Sequence, residues 1–157
     1  MADTTSALQR HPFVAGLAPE HLAKLAALGH LAEYPAGTVL FAEGDERHEF
    51  FLILHGRVAL ELETHGQVLR VETLEGATTL GWSAVLMGRG KHFQAKTLEP
   101  VEAVVFPGLE LLEACRRDTA FGFEIMHRLM HVVSRRLQAA RMQALDLYSP
   151  IARRAGA

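Results

Sequence analysis

From Thr38 to Phe106 glycine returns in turn-forming settings roughly every ten residues, and the runs between are rich in Val, Leu, Phe and Thr. That rhythm leaves no room for long helices. It predicts short strands, which at such spacing assemble as a sandwich or a barrel-like roll. The clearest piece is RVALELETHGQVLRVETL. Val58, Leu60 and Leu62 point one way, and Ala59, Glu61 and Glu63 the other. His65-Gly66 turns the chain. On the return Leu69, Val71 and Thr73 alternate with Val68, Arg70 and Glu72, less cleanly because Val68 and Leu74 share the polar side. The pattern predicts a hairpin with one mostly polar face.

On both flanks the apolar period changes to that of a helix. After Pro19, Leu22, Leu25 and Leu28 form one face, and Gly29 is a stop. Residues 1–11 carry no comparable pattern and are expected to be a flexible lead. Beyond Phe106, a short helix from Leu109 to Cys115 leads into a long one over 119–148. There Met126, Leu129, Val133, Ala140, Ala144 and Leu147 recur at helical spacings, with Ile125, Met130, Leu137, Leu145 and Tyr148 as a second apolar flank. One packed surface needs only one stripe. The wide arc predicts that one side rests on the strands and another meets a second copy of the chain. Pro150 is expected to end this helix, leaving 149–157 as a tail.

The 157 residues amount to one domain, spanning 12–148 on this reading. No stretch is long and apolar enough to cross a membrane as a helix, and MADTTSALQR is not a leader, so a cytoplasmic protein is expected. A single cysteine, Cys115, excludes an internal disulfide and a Cys-rich zinc site. A net charge of −2 argues against a dedicated nucleic-acid binder. Charge is uneven, however: from Arg128 to Arg154 there are six arginines and one acid, Asp146. A solvated helix face explains this most simply; an acidic partner or nucleic acid is the alternative.

The order of elements resembles the cyclic nucleotide-binding domain superfamily, to which the sensory domain of the catabolite activator protein and the regulatory subunits of protein kinase A belong. PAGTVLFAEGD is similar to that family's opening strand and turn, with Gly37 and Gly44 in place. FFLILHGRVAL is similar to the strand ending in Gly56. LGWSAVL stands where the family has its phosphate-binding cassette, and RRLQAARMQALD resembles part of the dimer-forming C-helix. The resemblance spans roughly Pro12 to Tyr148. It implies a mixed α/β, mainly β fold: an antiparallel β-roll or jelly roll with an N-terminal helix and a long C-terminal helix. It also implies a non-enzymatic, ligand-sensing regulatory domain. The transcription factors among these relatives carry a winged helix-turn-helix after the C-helix; the sequence has no room for one, so no direct DNA binding is expected.

The cassette departs from the family pattern. A glycine before a helix lets backbone approach an anion, and the first-turn amides then bind it. Gly81 opens such a turn, with Ser83 and Ala84 expected to supply amides. The resemblance implies a glutamate for the ribose hydroxyl and an arginine forked onto the cyclic phosphate. Trp82 stands at the glutamate position and cannot accept that bond. Losing it costs on the order of 1–3 kcal/mol, or roughly one to two decades of affinity. For the arginine, counting back from Ala95-Lys96-Thr97 favours Arg89. Counting forward from Gly81 finds the turn short and favours Lys91, a point charge without the fork. His92 and Phe93 follow, bulkier than the family's small residues, and Arg141 lies where the C-helix reaches the bound base.

Three readings stand. The pocket takes a small anionic or aromatic ligand through Gly81, Trp82 and Arg89 or Lys91; it takes a cyclic nucleotide weakly; or Trp82 and Phe93 fill it and the chain is a structural or protein-interaction module. The partners expected are a second copy through the C-terminal helix and a regulatory protein. His127 and His131 are four apart on a helix, a spacing that suits a metal, but no third ligand accompanies them. No Ser-His-Asp or Cys-His arrangement suggests an enzyme.

Overall fold

A computed structural model describes residues 3–45, 48–86 and 93–155, the last eight of these as backbone only. Fourteen elements follow in order: α1 (Thr4–Gln9), a 3-10 turn (Pro12–Val14), α2 (Pro19–Leu28), β1 (His30–Tyr34), β2 (Val39–Phe41), β3 (Glu49–His55), β4 (Arg57–Thr64), β5 (Gln67–Glu75), β6 (Thr78–Leu80), α3 (Ser83–Leu86), β7 (Gln94–Thr97), β8 (Val101–Pro107), α4 (Gly108–Arg117) and α5 (Thr119–Ala155). The strands form two four-stranded antiparallel sheets, ordered β1-β8-β3-β6 and β2-β7-β4-β5. This is the expected roll with helices at both ends.

The two sheets enclose one core and the helices enclose another. β3 reads as an unbroken apolar run because both its faces are buried. Phe51 and Ile53 turn inward with Phe41, Leu60, Leu80 and Val105, between the sheets. Phe50 and Leu52 turn outward to meet Leu8, Leu25, Phe106, Leu111, Phe121 and Ile125, under the helices. Removing a fully buried phenylalanine such as Phe50 costs about 3–5 kcal/mol.

Three details depart from expectation. The lead residues are not a loose arm: α1 buries Ala7 and Leu8 completely, and His11 is buried as well. Two small apolar residues in six give too short a pattern to register as amphipathic, yet they are enough to seat the turn on the helical core. The long helix continues past Pro150 to Ala155, although proline there removes one backbone hydrogen bond and crowds the carbonyl four residues back. In the hairpin, Ala59 is buried although it lies on the face read as polar, and the pairing slips between Leu60 and Glu61. β5 is an edge strand on which Val68, Leu69 and Val71 are all exposed.

The start of α5 is fixed from two sides. Asp118 caps it by accepting from the Phe121 amide (3.2 Å) and pairs with Lys24 of α2 at 2.5 Å. The Lys24 hydrogen bond, helped by that amide, holds the Asp118 carboxyl below its ordinary range. Among the described residues no helix is long and apolar enough to cross a membrane.

Candidate functional site

β6 delivers the chain to Gly81, whose φ of 73° lies in the left-handed region that glycine adopts without strain. The backbone then closes into α3, a single helical turn. The Ala84 amide donates to the Gly81 carbonyl at 2.9 Å, and the Val85 and Leu86 amides converge on Trp82 O at 3.1 Å. Ala84 was expected to offer its amide to a ligand. In so tight a turn that amide is spent on the carbonyl three residues back, and its side chain is fully buried. Ser83, one position earlier, is half-buried and remains the better placed donor.

The half-buried Trp82 packs against the helical core, the cluster containing Val85, Phe50 and Phe106, rather than against the cluster between the sheets. The indole therefore does not fill the roll. Phe93 is exposed at the entrance to β7. Arg89, Lys91 and His92 lie outside the described residues. Arg141 is exposed on α5. The structure thus brings Gly81, Trp82, Ser83 and Ala84 together in one turn and leaves Phe93 and Arg141 on separate elements.

Two contacts tie this turn to the helices. Gly108, at the head of α4, approaches so closely that a Cβ there would meet Ala84 Cβ at 3.0 Å and His48 O at 2.8 Å. On α5, Arg136 Nη2 donates to the carbonyl of Thr79, two residues before Gly81. Burial lowers the pKa of Arg136, and the carboxylate of Glu72 offsets part of that. Sequence reasoning missed Arg136, placing it in the solvated basic face. Its partner is a backbone oxygen far away in sequence, which leaves no mark in a residue pattern.

A cleft of about 510 Å³ opens between α5, the β5–β6 connection and the N-terminal 3-10 turn. Arg128, His131, Arg135 and Arg136 line one wall, and Glu72 is its single carboxylate among the described residues. None of the described residues expected from sequence to bind ligand lines it. The rings of His127 and His131 lie 4.9 Å apart, and among the described residues no three metal-ligating side chains gather.

Against known proteins, the model of the cyclic nucleotide-binding domain matches residues 31–118. The chain belongs to the cyclic nucleotide-binding domain family. The match runs from β1 to the end of the α4–α5 junction, so it contains the whole roll and its cassette. Among solved structures, a Geobacter metallireducens protein described as cyclic nucleotide-binding superposes with a TM-score of 0.76 at 25% identity, covering 87% of this chain and 99% of that one. The catabolite activator protein of Thermus thermophilus superposes with a TM-score of 0.70 at 27% identity, covering 88% of this chain; this chain spans 63% of its length. The regulatory domain of Toxoplasma gondii protein kinase A, solved with cAMP, shares the fold at 11% identity, with a TM-score of 0.66 and coverage of 87% and 49%. No protein of curated function matches the chain. Membership supports a regulatory, nucleotide-sensing class of function for the roll.

Proposed function

We propose that this cyclic nucleotide-binding domain is a sensor that takes a small anionic or nucleotide-like ligand at a rebuilt cassette and passes the event to its C-helix. The observation that carries the reading is the hydrogen bond from Arg136 to Thr79. It joins α5 to the strand that presents Gly81. A ligand that pulls the Gly81–Ser83 backbone shifts the Thr79 carbonyl and, with it, the helix. A cassette coupled to a helix is a two-state element that both ends can bias.

The amide of Ser83 and a cation from Arg89 or Lys91 would hold the negative group. Trp82 cannot replace the acid that grips a ribose hydroxyl, so a cyclic nucleotide would bind through its phosphate alone and more weakly. The output surface is α5. Phe123, Met126, Met130, Val133, Leu137, Ala140, Ala144 and Leu147 alternate at intervals of three and four along it, the spacing of a two-stranded coiled coil. Phe123, Met130, Leu137 and Leu147 are 67%, 62%, 51% and 75% exposed. That stripe fits a second copy of the chain.

The test is titration with cyclic nucleotides and small phosphorylated metabolites while Trp82 fluorescence is recorded, a clean report because the chain has one tryptophan. A saturable response that disappears in the Arg89→Ala/Lys91→Ala double variant is expected. No response to any compound, together with strong destabilisation by Trp82→Ala, would replace the sensor with a ligand-free interaction module.

A further inference from the structure

We infer that the cleft between α5 and the N-terminal 3-10 turn is a second binding site, separate from the cassette, for a small phosphate monoester with an apolar body. Arg128, His131, Arg135 and Arg136 recur at i, i+3, i+7 and i+8, so one helix face presents all four to the same opening. Three guanidiniums face the one described carboxylate of Glu72 on this wall, and Glu124 approaches Arg128 from outside it, so the opening keeps a net positive charge suited to an anionic phosphate monoester.

Two of the cationic groups are held in place before any ligand arrives. Arg128 Nη2 donates to Ala15 O at 2.9 Å, and Arg136 donates to Thr79 O. Glu124 sits 3.7 Å from Arg128 Nη1, a long contact outside the cleft wall. The Nε of Arg128 is buried and has no hydrogen-bond partner among the described residues. A buried donor without an acceptor is costly, so the side chain gains if it turns that nitrogen toward a phosphate oxygen in the cleft. Arg135 is exposed at the rim and has no carboxylate partner among the described residues. Its planar fork suits two phosphate oxygens.

The rest of the cleft explains why the ligand is a small molecule with a body. Phe13, Pro12, Leu74 and Val132 form an apolar floor, and the volume lies within the range of small-ligand pockets. A flat acidic partner surface would not reach that floor. The same residues join three segments remote in sequence, so occupancy would fasten the N-terminal turn to α5 and stiffen the helix that carries the dimer stripe.

The experiment uses the full chain and calorimetric titration with phenyl phosphate, inorganic phosphate and phenol. Saturable binding of phenyl phosphate is expected, tighter than inorganic phosphate, with no binding of phenol. Arg135→Gln, an exposed position that does not support the fold, should weaken it roughly fivefold or more. The Arg89→Ala/Lys91→Ala variant should leave it unchanged. Binding lost in that cassette variant and kept in Arg135→Gln would assign the ligand to the cassette and overturn the second site. Absence of phenyl phosphate binding to the unmodified chain would overturn it equally, whatever the cassette does.

Discussion

His11 shows how one buried polar side chain fixes the entry of the chain. Its Nδ1 accepts from the Phe13 amide at 3.1 Å, and its Nε2 donates to Thr78 O at 3.0 Å. Both nitrogens are thereby committed to the neutral ring with the proton on Nε2. Burial pushes its pKa below the ordinary value of 6.5; the backbone oxygens of Thr78 and Ile53 oppose this but do not win. A histidine whose folded pKa is depressed gives stability that is fully present above the unfolded value. That stability drains away as pH falls from 6.5 through the folded pKa. The melting temperature should therefore drop between pH 7 and pH 5, and the drop should be smaller in His11→Gln, which cannot charge. Equal pH slopes in the two proteins would show that His11 is not the titrating group. Cys115 illustrates the same physics with the opposite sign: burial raises its thiol to about 11, so it should resist alkylation while the chain is folded.

At the scale of elements, the parts legible in the sequence were those with dense local patterns. The Phe- and Leu-rich FFLILHG run announced β3 as a strand, though not that both its faces would be buried. Leu22, Leu25 and Leu28 marked α2, and His65-Gly66 marked the hairpin. What sequence did not disclose was cooperation between distant segments: the seating of α1, the grip of Arg136 on Thr79, and the cleft that assembles from the N-terminus, β5–β6 and α5. Within the cassette, the glycine and the turn were readable, but the consumption of the Ala84 amide by Gly81 O depends on how tightly that turn closes. The hairpin offers a test of its own. His65 and Gly66 have φ of 50° and 74°, so both central residues sit in the left-handed region that two-residue hairpin loops require. Glycine adopts it freely, whereas histidine does so at a cost of about 1 kcal/mol. His65→Asn, which restores the favoured Asn-Gly pair, should raise stability by up to about 1 kcal/mol in urea denaturation. A loss instead would mean that the imidazole, which contacts Thr64 Oγ1 at 3.1 Å, contributes more than the turn strain takes.

For the whole molecule, the deciding question is what covers α5. Placing Phe123, Met130, Leu137 and Ala144 at one seam position, and Met126, Val133, Ala140 and Leu147 at the other, puts His127, Ser134 and Arg141 on one flank and Leu129, Arg136 and Gln143 on the opposite flank. Neither flank contains an acid. Leu129 and Arg136 are turned to the chain's own roll, so a second copy meets the flank that carries the exposed Arg141, and a parallel pair brings one such arginine from each helix beside the seam. Such an interface is held by apolar burial and opposed by like charge, and screening relieves the opposition. Two results should therefore appear together in sedimentation measurements. Met130→Glu/Leu137→Glu should convert a dimer to a monomer, because it places carboxylates in the seam. In the unmodified chain, raising salt from 50 to about 500 mM should tighten the dimer, with the Debye length falling to a few ångströms. A dimer loosened by salt would point to an interface built on ion pairs elsewhere, with the exposed apolar edge of β5 as the next surface to substitute. A monomer at all concentrations would leave the α5 stripe for a different protein and remove the dimer from the signalling route.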